Sequence, residues 1–184
     1  MKNPIIYLTG FMASGKSTVG PILANTIGWN FADIDRFIES REGKKITEIF
    51  AESGEEYFRK IESVCLEELS KLENYVISLG GGTIADENNL KIIKNTGLLI
   101  YLKSSTETAY NRLRFKRDRP ALLFDGDEEP TKEEFTARIN ELLNVRKSYY
   151  EKSDYIINTD KMAVGKTVDR LAAIIKKEIT KYEN

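Results

Sequence analysis

The sequence predicts an α/β fold, a parallel sheet with helices on both faces. Two observations carry this. Five short, almost purely apolar runs recur along the chain, and segments with helical apolar spacing separate them. Strands that alternate with helices build βαβ units, which make the strands parallel and lay helices on the sheet. Near-continuous apolar runs, rather than alternating ones, suit strands buried on both faces.

The elements follow in order. IIYLT at 5–9 is the first strand and leads into GFMASGKST. A helix is expected over 16–27, closed by Gly28 as a C-terminal stop. Pro21 lies inside it, where it removes a donor and crowds the preceding turn, so a local bend is expected. NFADI at 30–34 is the second strand, and RFIESREG after it reads as a helix that Asp35 is placed to cap. Residues 54–72 set Tyr57, Phe58, Ile61, Val64, Cys65, Leu69 and Leu72 on one stripe. YVISL at 75–79 and LLIYL at 98–102 are the third and fourth strands. Residues 132–150 carry Phe135, Ile139, Leu142, Leu143 and Tyr149 at helical spacing. YIIN at 155–158 is the fifth strand, and 164–179 is a last helix with Val164, Val168, Leu171, Ile174 and Ile175 inward. The polar stretch from about 114 to 131 holds Gly126 and two prolines and reads as a long loop or lid.

Composition narrows the function. At 184 residues the chain is long enough for one domain with a core and a cleft. No histidine is present, which excludes a histidine-based triad or zinc site and leaves carboxylate, Lys, Tyr or Cys as a general base. A net charge of −1 gives no global attraction to nucleic acid or acidic lipid. The apolar runs are too short to span a bilayer, and MKNPIIYLTG lacks a secretory signal, so neither membrane nor nucleic acid is expected as a partner. The lone Cys65 sits at apolar helical spacing as a buried small hydrophobe, and a chain with one cysteine fits the reducing cytoplasm. Charge is uneven in one place: RLRFKRDRP packs basic residues together, either as a solvated face or as an anion-binding loop.

Gly10, Gly15, Lys16 and Ser17 fit G-x-x-x-x-G-K-[ST] between a strand and a helix. Glycines let such a loop curl so that backbone N–H groups meet phosphate oxygens, and the helix N-terminus adds positive potential. Lys16 then reaches the β- and γ-phosphates, and the Ser17 hydroxyl ligates Mg²⁺. The N-K-x-D and D-x-x-G marks of a GTPase switch are missing; NTDK at 158–161 has the wrong order. A nucleoside monophosphate kinase more often reads G-K-G-T here, so a kinase for another small molecule leads, with a gluconate-type kinase or a nucleotide-dependent switch as alternatives.

Three further motifs describe an acceptor. Asp33 and Asp35 follow the second strand, where one can face a metal and the other an acceptor hydroxyl. In EEYFRKIE, Glu62 is spaced to hold the Arg59 guanidinium, which suits bidentate carboxylate recognition. SLGGGT at 78–83 exposes backbone N–H groups and admits close approach.

Taken together, the ordered set G-x-x-x-x-G-K-S-T, D-x-D, F-R-x-x-E, G-G-G, R-P and R-x-x-x-Y resembles the shikimate kinase family over essentially the whole chain. The resemblance implies a single P-loop kinase domain over 1–184, with strand order 2-3-1-4-5, a mobile lid at about 114–131 and a shikimate-binding helical segment at about 34–62. It implies transfer of the γ-phosphate of ATP to the 3-hydroxyl of shikimate, with Mg²⁺, in a cytoplasmic monomer of the chorismate pathway. Asp35 matches the residue that binds the acceptor hydroxyls, as base or orienter, and Asp33 the residue near Mg²⁺, acting through water. Arg59 and Arg146 match the arginines on the shikimate carboxylate, and Gly81 and Gly82 its backbone contacts. Arg119 matches the lid arginine over the phosphates. Ala13, Ser14 and Thr18 belong to the ATP-binding loop with its motif residues. Arg112 matches a basic residue beside adenine, a part for which Arg114 and Arg117 compete, and Thr159 and Asp160 fall in the adenine-flanking loop. Two departures stand out. Ala13 replaces a frequent third glycine and is expected to fit with negative φ; the lid is acidic at its far end.

Overall fold

The structure is a computed structural model and describes residues 5–115 and 130–183. Five parallel strands form one sheet: β1 (Ile5–Thr9), β2 (Asn30–Asp33), β3 (Tyr75–Ser78), β4 (Gly97–Lys103) and β5 (Tyr155–Asn158). Their order is β2-β3-β1-β4-β5, as expected. The helices are α1 (Lys16–Ile27), α2 (Ile34–Glu42), α3 (Ile46–Leu69), α4 (Glu87–Thr96), α5 (Thr106–Leu113), α6 (Lys132–Tyr150) and α7 (Val164–Glu183), with one 3₁₀ turn at Thr83–Ala85.

The central strand explains the apolar runs. Every residue of β1 is buried, and its side chains alternate between two cores. Ile5 and Tyr7 join Ile77, Leu99 and Tyr101 beneath α2, α3 and α4. Ile6 and Leu8 join Val76, Ile100 and Leu102 beneath α1 and α7. Register fixes the same split on the neighbours, with Tyr7 level with Ile77 and Leu99. A third cluster of Phe11, Ala109, Leu113, Phe135 and Ile139 joins the phosphate loop to α5 and α6. The edge strands β2 and β5 are only partly covered, so burial on both faces holds for the inner strands alone. Among the described residues, no helix is long and apolar enough to cross a membrane.

Helix α1 spans Lys16–Ile27 as expected, with the exposed Pro21 inside it. Other expectations are corrected. The long helix begins at Ile46, not 54, and Gly54 kinks it with φ 80° and ψ 173°. That conformation is left-handed, open to glycine and strained for any other residue. Of the stripe expected on this helix, Tyr57 and Val64 face solvent, and the fully buried position beside Phe58, Cys65 and Leu69 is a carboxylate, Glu62. Val164 is likewise exposed at the start of α7. Helices α4 and α5 fall where the sequence reading placed no helix; each starts at a side-chain cap, Asp86 and Ser105.

Candidate active site

The phosphate loop joins β1 to α1. Gly15, at φ 108°, is the residue before α1, and no side chain caps that helix or places an acid in its first turn. Its leading N–H groups therefore point at the cleft without an internal anion to quench them. Gly10 has φ 147°, and a Cβ there would sit 2.5 Å from the Leu102 carbonyl and 2.8 Å from the Ser14 hydroxyl. Both glycines of the motif are thus required by geometry. Lys16 folds back over the loop, its Nζ donating to the carbonyls of Gly10 at 2.7 Å and Phe11 at 3.2 Å.

Ala13 departs from expectation. Its φ is +57°, the left-handed region, not the negative value a simple tolerated variation needs. For a residue with a Cβ this conformation costs roughly 1–2 kcal/mol. The surroundings hold it there. Arg112 Nη1 donates to the Ala13 carbonyl at 2.8 Å. Ser14 N–H closes a turn onto the Phe11 carbonyl at 3.1 Å. The Ala13 side chain packs on the Phe11, Leu113 and Phe135 cluster. Thr159, on the loop after β5, lies within hydrogen-bonding distance of the carbonyls of Ser14, at 3.3 Å, and Lys103, at 3.1 Å.

The two aspartates divide as their positions allow. The cap of α2 is Asp33 rather than Asp35, because β2 ends at Asp33 and the helix starts at the buried Ile34. Asp33 Oδ1 accepts from the N–H groups of Asp35 at 3.1 Å and Arg36 at 3.4 Å, and Oδ2 accepts from the Ser17 hydroxyl at 3.2 Å. Asp35 turns instead toward the glycine loop after β3: a Cβ on Gly80 would lie 3.1 Å from its Oδ1.

That glycine loop gathers the remaining charged groups. A Cβ on Gly80 would also meet Glu62 Oε1 at 2.7 Å and the Thr83 hydroxyl at 3.0 Å. One on Gly81 would meet Arg146 Nη1 at 3.1 Å, and one on Gly82 would meet Arg59 Nη2 at 3.0 Å. Three consecutive residues without side chains let an aspartate and two arginines from three helices close on one stretch of backbone. Glu62, 1% exposed, accepts from Arg59 Nη1 at 2.7 Å and from the Thr83 hydroxyl at 2.5 Å. The Arg59–Glu62 pair is therefore a buried, hydrogen-bonded one and not a surface salt bridge. Burial disfavours the Arg59 charge, but the charge and hydrogen bond of Glu62, with help from Glu55, outweigh it and raise the guanidinium pKa.

Tyr150 fixes the loop from the other side. Its hydroxyl donates to the Gly81 carbonyl at 2.7 Å, and its ring stacks on Tyr101 with centroids 4.7 Å apart. Burial pushes its phenol up to about 12 against the pull of the nearby Arg146 charge. Thr83 and Tyr150 were not singled out from the sequence. Tyr150 carried one signal, its place a turn beyond Arg146 in the R-x-x-x-Y pattern; Thr83 carried none beyond following the glycines.

A cleft of about 510 Å³ runs past these parts. Ala13, Ser14, Gly15, Lys16, Ser17, Thr18, Asp33, Asp35 and Gly81 line it, together with Arg112 and Thr159, which meet the phosphate loop at Ala13 and Ser14. Arg59, Gly82 and Arg146 adjoin Gly81 next to this cleft without lining it themselves. Of the competing basic residues, Arg112 faces the cleft, while Arg114 lies over the rings of Phe115 at 4.6 Å and Tyr110 at 5.9 Å. Arg117 and Arg119 lie outside the described residues, as does most of the expected lid. Asp160 is off the cleft wall and ties β5 to α5 by accepting the Ser105 N–H at 2.8 Å. Partial burial works against its charge, but that N–H, the hydroxyls of Thr108 and Ser105, and Arg112 hold its carboxyl below the ordinary value. No cluster of three or more His, Cys, Asp or Glu suited to a metal occurs among the described residues. The Ser17 hydroxyl and Asp33 carboxylate, 3.2 Å apart, are two hard oxygen donors at the head of the phosphate loop. Such a pair fits Mg²⁺, which takes few protein ligands and completes its shell with phosphate and water.

Comparison with known proteins finds matches over nearly the whole chain. A family model described as shikimate kinase matches residues 12–176. A shikimate kinase of Chlorobaculum parvum is 44% identical over 179 residues, 97% of this chain and 96% of that one. Among solved structures, a shikimate kinase from Acinetobacter baumannii in complex with shikimate superposes with a TM-score of 0.87 at 32% identity, covering 96% of this chain and 94% of the other. A shikimate kinase from Bacteroides thetaiotaomicron gives a TM-score of 0.84 at 33% identity, covering 94% and 98%.

Proposed function

The chain belongs to the shikimate kinase family, and from that premise we propose that it transfers the γ-phosphate of ATP to the 3-hydroxyl of shikimate. The products are shikimate 3-phosphate and ADP, on the route to chorismate and the aromatic amino acids. The observation that carries this reading is the convergence of Asp35, Arg59 and Arg146 on the Gly80–Gly82 backbone, opposite the phosphate loop.

In this mechanism the acceptor's carboxylate sits on Arg59 and Arg146, and its ring rests on the backbone of Gly81 and Gly82. Asp35 orients the 3-hydroxyl and takes its proton as the oxygen attacks the γ-phosphorus. ADP leaves as the bond to the β–γ bridging oxygen breaks. Lys16 leaves the carbonyls of Gly10 and Phe11 for the phosphoryl oxygens, whose charge it neutralises alongside the first N–H groups of α1. Ser17 and Asp33 would hold Mg²⁺, which supplies charge neutralisation on the phosphates. Arg112 bounds the nucleobase end. Arg119 is assigned to the phosphates from its sequence motif, and closure of the 114–131 segment would exclude water as a competing acceptor.

We read the protein as a single-domain cytoplasmic monomer. In support of the reducing compartment, the lone Cys65 is buried. The test is ADP release with ATP, Mg²⁺ and shikimate, with gluconate and AMP as control acceptors. Shikimate-dependent release is expected; release that ignores shikimate, or follows a control acceptor, contradicts the reading.

A further inference from the structure

Arg59 carries one more partner than a carboxylate receptor needs. Its Nη1 is held by Glu62, which is fixed by burial and by Thr83. Its Nε and Nη2 both donate to a second carboxylate, Glu55 Oε1, at 3.3 Å and 3.1 Å. The Nε/Nη2 edge is one of the two edges at which a guanidinium grips a carboxylate with two parallel bonds. The same Nη2 lies against Gly82, on the loop where the acceptor is placed.

The two glutamates differ in kind. Glu62 is 1% exposed, whereas the Glu55 side chain is 66% exposed. Glu55 follows the Gly54 kink, in the first turn of the second half of α3, and water is open to it. Its grip is also weak, since a single oxygen is shared between two donors, where an incoming carboxylate offers both oxygens to the same edge. Charge points the same way. With both glutamates in place, Arg59 is surrounded by two negative charges, and a third anion is repelled; with Glu55 in water, the buried Arg59–Glu62 pair is neutral and Arg146 attracts the newcomer.

We propose that Glu55 is a built-in competitor for the acceptor's carboxylate, holding the Nε/Nη2 edge of Arg59 until that carboxylate displaces it. This rests on the reading of the site as a receptor for a carboxylate acceptor. Glu55 touches no reacting atom; it acts through Arg59. Because it is lost equally from the ground and transition states of the bound complex, removing it lowers KM and leaves kcat alone.

The test uses the full chain as Glu55→Gln and, to remove the side chain altogether, Glu55→Ala. Exchange of an exposed ion pair is worth about a twofold to fivefold change in affinity. Both variants should lower KM for shikimate by about that factor, with kcat and KM for ATP unchanged. Binding of cyclohex-1-ene-1-carboxylate, a ring monocarboxylate without hydroxyls, is measured in parallel and should tighten in the same ratio. A KM and a monocarboxylate affinity that stay level, or weaken, overturn the proposal. If wild type neither binds nor phosphorylates shikimate, the proposed function fails, and the monocarboxylate ratio alone still decides the role of Glu55.

Discussion

The two halves of the cleft are built on opposite principles. The phosphate half is mostly backbone: Gly10, Gly15 and the open first turn of α1, with the strained Ala13 peptide clamped by Arg112. The acceptor half is mostly side chains: Asp35, Arg59, Glu62, Arg146 and Tyr150 packed against three glycines. A triphosphate is common to many substrates, and amides at a helix end recognise it generically. A particular small acid with hydroxyls needs charges and hydrogen bonds at fixed points, so this half spends buried polar groups on specificity. The difference implies that changes in the two halves move different kinetic constants.

The largest expected effect is on the acceptor side. Asp35→Asn removes the proton acceptor while leaving the phosphate loop intact, so turnover should fall by about 10²-fold or more with nucleotide affinity unchanged. Near-normal turnover would take Asp35 out of the chemistry.

Gly80→Ala comes next. Its Cβ would press on Glu62, which is buried and held by Arg59 and Thr83, and on Asp35, which lines the cleft. Shikimate KM should rise by about tenfold, as expected for a receptor displaced by a fraction of an ångström, with ATP affinity within about twofold. Equal losses on both substrates would show that the halves are not separable.

Tyr150→Phe removes the hydroxyl that holds the Gly81 carbonyl and should cost about 1–2 kcal/mol of stability, with a smaller rise in shikimate KM. It also has a pH signature. The phenol is raised to about 12 in the folded protein, above its ordinary value, so its neutral form is favoured by folding. That contribution is complete below about pH 10 and is lost as pH rises toward 12. Wild type should therefore lose stability over that window. The variant should lose less, with Tyr7, raised to about 12 by burial, and Tyr101, also raised by burial, contributing to the remainder. Identical alkaline unfolding profiles would contradict the assignment.

The smallest effect belongs to the phosphate half. Ala13→Gly relieves the left-handed strain and should stabilise the fold by up to about 1 kcal/mol, less what its methyl contributes to packing. Nucleotide affinity should shift little, because Arg112 still holds the carbonyl. A large drop in melting temperature would mean that packing outweighs strain at this position.

The halves also differ in how much the sequence discloses. Strand order aside, the sheet was legible because β1, β3 and β4 are buried on both faces and read as apolar runs. The phosphate loop was legible because its parts are contiguous. The acceptor half was legible as a set of separated motifs, but which atoms meet is a tertiary fact. Glu62 was legible as the partner of Arg59, but its burial beside Thr83 depends on the approach of α3 to the glycine loop. Asp33, rather than Asp35, became the cap because β2 stops one residue before Ile34 enters the core. The positive φ of Ala13 was not read from the sequence; among the contacts that hold it is Arg112, 99 residues away.

Half-buried arginines in the acceptor half read a carboxylate. The most direct test compares ADP release driven by shikimate with that driven by its methyl ester, which keeps every hydroxyl and loses only the charge. Losing a charge-assisted hydrogen bond costs about 1.5–3 kcal/mol, so kcat/KM should fall by about 10- to 10²-fold with the ester while KM for ATP holds. Comparable kcat/KM for acid and ester would contradict the account.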